Sequence, residues 1–359
     1  MPQNPILLVG GSGAVGRQTT KQLRAAYPDV PLLIGGRDLA KAERAATEIG
    51  GAEAVVLDLT AEDLGIGERP VGAVAVFFAD NRLAGLRFAQ RRGVPYLSIS
   101  SGVFEIAPEI AAYMHKPDAA PIVLGYEWLV GATTVPALVF AKAFGRMHEI
   151  IIGALVDEQD EGGPAVAEDF ERLTRILPAA LTRREGSYIW RAGNDARTQF
   201  RAADGTEMEA TGFSSIDVVG LATATGAPNV QFNIANGVSS TRRRGEPMSA
   251  EIIIEIAGED HSDHPLRTRH AIVHPQGSAT LTGLGVAMLL ERLVGLDRNP
   301  PPRRGSTSHT NCLNLPRIWP VSTEAMARSS AWRCCDARLS GPPDPGASER
   351  SDLSRHRAR

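Results

Sequence analysis

The segment Pro5-Ile6-Leu7-Leu8-Val9-Gly10-Gly11-Ser12-Gly13-Ala14-Val15-Gly16 constrains this chain more than any other. A short continuous apolar run is the pattern of a strand buried on both faces. Here it ends in a Gly-x-Gly-x-x-Gly turn that opens a stretch with helical spacing at Val15, Thr19 and Leu23. In such a turn Gly11 allows the tight reversal, and Gly13 lets the backbone approach a pyrophosphate with no side chain in the way. Gly16 lets the helix pack closely on the strand. Exposed N–H groups and the positive end of the helix dipole then face the phosphates. Gly10, Gly11, Ser12, Gly13, Ala14, Val15 and Gly16 are therefore the expected cofactor-binding segment.

The same alternation continues down the chain. Apolar runs over 31–36, 54–57, 71–78, 95–99 and 122–124 are expected strands. Residues 39–49, 83–92 and 107–114 have helical composition and spacing. Short apolar strands alternating with helices predict an α/β fold, a doubly wound parallel sheet of Rossmann type, over residues 1–130. A NAD site commonly carries Asp or Glu at the end of the second strand, about 20 residues past the glycines. Here that strand is followed by Arg37. A guanidinium suits a 2′-phosphate, so NADP is the expected cofactor, with NAD as the alternative. Asp38 could instead cap the next helix. Asp58 could reach an adenine amino group or be a solvated loop carboxylate. Ala79 and Asp80, after the fourth strand, are expected along the nicotinamide, with the small Ala79 leaving room for it.

From Arg146 the pattern changes. Ile150, Ile152, Ala154 and Val156 form one face of a strand, and Ile151 and Leu155 the other. Strand candidates follow at 188–191, 198–202, 207–211, 230–234, 251–256 and 266–274, with a helix over 166–177. This predicts an α+β domain over 131–276 with a mostly antiparallel sheet and one apolar face. That face must pack on helices or on a second subunit, and a homodimer through this domain is the expectation. Residues 277–302 carry an apolar helix returning to the first domain, with Glu291 and Arg292 expected at solvent.

Residues 303–359 differ from the rest. They hold ten Arg and no Lys against five acidic residues, and all three cysteines, Cys312, Cys334 and Cys335. They show no sustained helical or strand period. A disordered basic tail and a zinc site from His309 and the cysteines are two readings; the adjacent cysteines and the lack of a Cys-x-x-Cys spacing argue against the second. The preferred expectation is a disordered or out-of-frame segment beginning near Pro302.

With 359 residues and 43% hydrophobic content, the chain can bury two cores. A net charge of −3 gives no electrostatic case for nucleic acid. Apolar runs are too short to span a membrane, and no signal peptide precedes them, so a cytoplasmic location is expected.

The segments ILLVGGSGAVGRQ, LIGGRDLAKAE and GVPYLSISSG, followed by the patterned antiparallel domain and the apolar helix ending near Val294, resemble the saccharopine dehydrogenase-like family of NAD(P)-dependent oxidoreductases. The likeness is to its saccharopine reductase branch and covers about residues 4–300. It implies a Rossmann domain, an inserted substrate-binding and dimerising domain, and hydride transfer to or from a small imine or amino-acid-derived carbonyl. Two departures stand out. The family often has Asp after the fifth strand, where this chain has Ser98, and the tail replaces the family's C-terminal segment.

In a doubly wound sheet, ligands bind outside the carboxyl ends of the strands. That places Ser100, Tyr126 and Glu127 as candidate catalytic residues, Tyr126 as a proton donor and Glu127 as an amine contact. A Tyr-Glu-Trp run can equally start a helix with Tyr126 and Trp128 packed. The Tyr-x-x-x-Lys pair of short-chain dehydrogenases is absent, since position 130 is Val. No metal site is expected. His261 and His264 read as a polar hairpin tip. Arg242, Arg243 and Arg244, and the acidic run Asp157, Glu158, Asp160 and Glu161, read as solvated loops. The alternatives to an oxidoreductase are a dinucleotide-binding regulatory or scaffold protein without turnover, or an inactive truncated copy.

Overall fold

Burial from both sides turns the short apolar runs into parallel strands. In a computed structural model of the protein, β1 (Ile6–Val9) and β4 (Ala73–Val76) are buried along their whole length. The structure describes residues 4–100, 102–160, 168, 169, 171, 172, 175 and 179–298, and the backbone of 333–338. Between and after these strands lie α1 (Ala14–Ala26), β2 (Leu32–Gly36), α2 (Leu39–Ile49), β3 (Ala52–Val56), α3 (Ala84–Arg92), β5 (Tyr96–Ser98), α4 (Ala107–His115) and β6 (Ile122–Leu124). The six strands pair in parallel in the order β3-β2-β1-β4-β5-β6. The strand order reverses between β1 and β4, and a crevice opens at such a reversal.

The chain then passes through α5 (Thr134–Ala141) into a long strand, β7 (Phe144–Asp157). Further strands are β8 (Ala179–Arg184), β9 (Ser187–Ala192), β10 (Arg197–Arg201), β11 (Glu207–Gly212), β12 (Asn229–Gly237), β13 (Ala250–Asp260) and β14 (Pro265–His274). The helices here are α6 (Asp217–Thr225) and the short α7 (Ser240–Arg243). The second sheet runs β10-β11-β12-β7-β13-β14-β15, with β15 (Arg333–Arg338) at its edge and the β8–β9 hairpin attached to β12. Its ladders are antiparallel apart from β12 and β7, which are parallel in register from Asn229 beside Glu149 to Gly237 beside Asp157.

Both faces of this sheet carry a core, so the expectation of one apolar face is corrected. Ile150, Ile152 and Ala154 pack with Phe232, Ile254, Ile272 and the helices α5 and α6. On the reverse face Leu155, Ile253 and Ala271 are covered by Phe200. A Cβ at Gly153 would lie 2.8 Å from the Phe200 ring, so glycine is what lets that ring lie on the strand.

Two further differences have physical causes. α5 and α6, which the sequence does not mark, carry too few contrasting polar positions for a period to show. Residues 333–338 pair antiparallel with Thr268–Val273, correcting the expectation of no strand in the tail. Such pairing needs only main-chain groups, and the outer edge of β14 supplies them. The expected helix over 166–177 and the rest of the expected 303–359 tail fall largely outside the described residues. Within the former, residues 168, 169, 171, 172 and 175 are helical.

The apolar helix α8 (Gly277–Val294) ties the two sheets together. Leu281 belongs to the second core, while Val286, Ala287, Leu289, Leu290 and Leu293 pack against Ile6, Leu8 and Leu23 of the first. Glu291 and Arg292 are half-buried rather than at solvent. Burial pushes the Glu291 carboxyl up to about 7, against a hydrogen bond from Tyr27. Closeness of α8 to α1 depends on Gly283, whose Cβ would fall 2.6 Å from Gln18 Cβ and 2.9 Å from the Thr19 nitrogen. Gly283→Val is therefore expected to cost about 1–3 kcal/mol in urea unfolding, as an overpacked core does. The control Gly36→Ala adds a Cβ that meets nothing within 4 Å. It is expected to stay within about 0.5 kcal/mol of wild type.

Candidate functional site

The glycine turn sits at the carboxyl end of β1. Gly10 has φ +83° and donates to Gly35 O at 2.8 Å, while Gly11 and Gly13 donate back to Leu8 O and Gly10 O at 3.0 Å. A Cβ on Gly16 would lie 2.6 Å from Gly11 Cα, so α1 can approach the strand only without side chains at this crossing. Gly13 is the N-cap of α1, and no side chain caps the helix or places an acid in its first turn. The leading N–H groups of α1 are thus left for an outside acceptor. At Gly13 a Cβ would meet only Gly10 O, at 3.3 Å. Phe78 closes one side of the turn, 3.0 Å from where a Gly10 Cβ would be.

At the end of β2 the two charged neighbours have separate fates. Asp38 caps α2, its Oδ1 accepting from Lys41 N at 3.0 Å. Arg37 is exposed and has no partner among the described residues. Asp58, past β3, accepts from the Thr60 N–H at 2.8 Å and hydroxyl at 2.6 Å; these bonds hold its carboxyl below the usual carboxylate range. Asp80 holds the turn after β4, accepting from Gly85 N at 2.9 Å and Arg82 N at 3.2 Å. Ala79 lies beside it at the same strand end.

The ends of β5 and β6 hold a buried polar cluster. Glu109 of α4 accepts from Ser98 Oγ at 3.1 Å, from Tyr96 at 3.5 Å and from the Tyr126 hydroxyl. Ser98 and Tyr126 are also bonded to each other. Burial raises the Glu109 carboxyl and pushes the Tyr96 hydroxyl well above its ordinary value. Tyr126 is therefore turned toward α4, its ring between Ile106 and Ile216. Two residues on, Trp128 faces the other way and enters the second core, edge-on to Phe213 at 5.5 Å. Glu127 lies at the seam between them.

That seam is fastened by Asp217, the fully buried first residue of α6. Its carboxylate accepts from Trp128 N at 2.7 Å, Thr134 Oγ1 at 2.6 Å, Thr133 Oγ1 and Ser215 Oγ. Glu127 is 6% exposed, and its carboxyl makes no hydrogen bond to another residue among the described residues. Burial, then the charge of Asp217, pushes it up to about 8. A second tie crosses the end of β5. Arg172 donates to Ser100 O at 2.9 Å, to Asp169 at 3.0 Å and to Glu105. The Ser100 side chain bonds Asp169, whose carboxyl burial raises.

The sequence reading misses Glu109, Asp169, Arg172 and Asp217. Of these only Asp217 has a local signal, the Ser215-x-Asp217 pair that opens α6. Glu161 lies outside the described residues; the other arginines and acids of the two expected solvated loops are occupied. Arg242 pairs with Asp157 and Glu158, Arg243 with Asp204, and Arg244 with Glu246. Asp160 accepts from Ser278 N at the start of α8. His261 and His264 lie at the β13–β14 hairpin, and no metal-holding cluster occurs among the described residues. No helix among the described residues is long and apolar enough to cross a membrane.

No protein-family model and no curated protein sequence matches this chain. Among solved structures it is similar to saccharopine dehydrogenase (L-Glu forming) from Saccharomyces cerevisiae. The two share 13% identity over 93% of this chain and 100% of the other, with a TM-score of 0.60. An oxidoreductase from Agrobacterium radiobacter in complex with NAD+, L-tartaric acid and magnesium aligns at 13% identity, over 93% of this chain and 98% of its own, with a TM-score of 0.49. The fold is that of the yeast dehydrogenase, α/β with a Rossmann sheet and a second, mostly antiparallel one.

Because folding raises the Glu127 carboxyl from 4.5 to about 8, the folded chain holds a proton that the unfolded chain releases. Its contribution to stability falls as pH rises from 4.5 and levels off above 8. Glu127→Gln removes this dependence. Its stability relative to wild type is expected to grow by ~2–3 kcal/mol between pH 6 and pH 9, at 1.36 kcal/mol per pH unit. Urea unfolding at the two pH values measures the change.

Proposed function

We propose that this chain is a nicotinamide-dinucleotide-dependent oxidoreductase of saccharopine dehydrogenase-like type. The observation that carries the reading is the uncapped start of α1 behind a glycine turn, at the reversal point of a β3-β2-β1-β4-β5-β6 sheet. An uncapped helix start with no acid in its first turn fits a diphosphate, because partial positive charge and unpaired N–H groups point at it. Gly10 to Gly16 would hold the diphosphate, and Ser12 would flank it. When bound, the nicotinamide ring supplies a hydride to a substrate carbon or removes one.

NADP is the proposed coenzyme. Arg37 stands unpaired at the end of β2, where the adenosine ribose lies in this fold. Asp38, the residue that could have taken a ribose hydroxyl, is committed to capping α2. Asp58 would border the adenine, with its carboxylate already held by Thr60, and Ala79 and Asp80 would border the nicotinamide. The substrate would lie at the ends of β5 and β6, beside Ser100, Tyr126 and Glu127. A small imine or amino-acid-derived carbonyl is the proposed class. A homodimer through the second sheet is proposed as well, supported by Tyr188 and Trp190, which stand 47% and 49% exposed on β9.

Calorimetric titration with NADPH and NADH tests the coenzyme assignment. Wild type is expected to prefer NADPH. Arg37→Ala should weaken NADPH binding by roughly 10- to 100-fold, the range of a lost charge-assisted contact, and leave NADH within about 3-fold. An unchanged NADPH/NADH ratio removes Arg37 from the 2′-phosphate. Failure of folded wild type to bind either nucleotide overturns the oxidoreductase reading itself.

A further inference from the structure

The link between the two domains contains, among the described residues, the one pair of consecutive non-glycine residues with positive φ. Leu129 and Val130 are consecutive residues with φ +50° and +56°. For a β-branched residue this is a conformation that persists only where the surroundings impose it, at on the order of 1–3 kcal/mol per residue. The surroundings here are specific. Val130 N donates to Glu127 O at 2.8 Å, and Ala132 N to Trp128 O at 3.2 Å. Asp217 takes the Trp128 N–H from one side and Thr133 and Thr134 from the other. On α8, Gly285 comes so close that a Cβ would lie 2.6 Å from Val130 O.

All of these constraints surround one residue without giving its side chain a partner on another residue among the described ones. Trp128, Leu129, Val130, Thr133 and Thr134 are bonded or packed, and Asp217 is saturated by four donors. Glu127 alone in this turn is buried with a carboxyl that makes no hydrogen bond to another residue among the described residues. The charged group facing it is Asp217, on α6. Tyr126, by contrast, has its hydroxyl committed to Glu109 and Ser98. A buried acid that takes a hydrogen bond only from its own backbone N–H, in a strained, over-determined turn, is the arrangement of a group kept for a ligand.

We infer that Glu127 is the acid–base residue of the site, giving its proton to the substrate nitrogen or oxygen in reduction and taking it back in oxidation. The inference rests on the coenzyme reading above. In reduction the hydride forms the new C–H bond, and the C=N or C=O π pair moves to the heteroatom. The Glu127 O–H bond breaks, the heteroatom takes the proton, and Glu127 is left as a carboxylate. The carboxyl is protonated near neutral pH because burial and Asp217 oppose its ionisation, so it can serve as the donor.

The test needs no substrate. The oxidised nicotinamide ring is a cation and the reduced ring is neutral. A cation within a few ångströms lowers a carboxyl by about 1–3 pH units, so NADP+ should release a proton from Glu127 at pH 7 and NADPH should not. Calorimetry of the full chain in phosphate and in Tris counts the protons released. Ionisation of the 2′-phosphate is common to both nucleotides and cancels in the difference. Wild type is expected to release on the order of half to one proton more with NADP+ than with NADPH. Glu127→Gln and Glu127→Leu should bind both nucleotides and show no difference. Equal proton counts in wild type overturn the inference, whether or not the variants fold, and so does a difference that survives in a folded variant. Absence of binding by wild type is instead failure of the coenzyme reading, with which this one falls.

Discussion

Everything in this molecule depends on how closely α1 lies against β1. The crossing is built from two glycines, and a single methyl on Gly16 would overlap Gly11. Because the helix begins so near the strand end, its leading N–H groups lie at the reversal of strand order between β1 and β4. The same face of the fold brings together the ends of β2, β4, β5 and β6. Arg37, Ala79, Ser100 and Glu127 thereby come to one rim although 90 residues of sequence separate the first from the last.

The second domain shapes that rim without supplying most of its groups. Asp217 reaches across to the segment after β6, and Arg172 to the segment after β5. From below, α8 packs on α1 and on the Leu129–Val130 turn. The two carboxyl groups at the seam have opposite environments. Asp217 is surrounded by donors from four other residues, whereas Glu127 is buried with only its own backbone N–H. Neighbouring acids with divergent surroundings are a recurring basis for acid–base assignment. At Glu127 the burial lowers stability at alkaline pH.

The first domain was legible because its strands are buried on both faces and its helices are bounded by glycine, proline or a capping Asp. α1, α2 and β6 begin and end where the pattern of residues places them. The second domain was less so. Its strands could be seen one by one, but the parallel pairing of β12 with β7 joins residues about 80 apart and leaves no local trace. α5 and α6 are apolar or small on most sides, which removes the contrast that marks a helix. The nucleotide-binding turn was legible for the same reason as the first domain, since each glycine answers a steric demand within six residues. The chemistry around Glu127 was not. Its neighbour Asp217 lies 90 positions away, and the turn that holds it uses Leu129 and Val130 where a reader of turns looks for glycine. Asp38 shows the middle case: the sequence allows it either a ribose contact or a helix cap, and it caps α2 through Lys41 N.

Hydrogen–deuterium exchange of the full chain with and without NADPH tests the central claim most directly. The account predicts slowed exchange in the peptide covering Gly10 to Arg17, where the first-turn amides of α1 gain an acceptor, with the outer edge of the second sheet unchanged. Exchange in that peptide that is indifferent to saturating NADPH, while the chain stays folded, would contradict it.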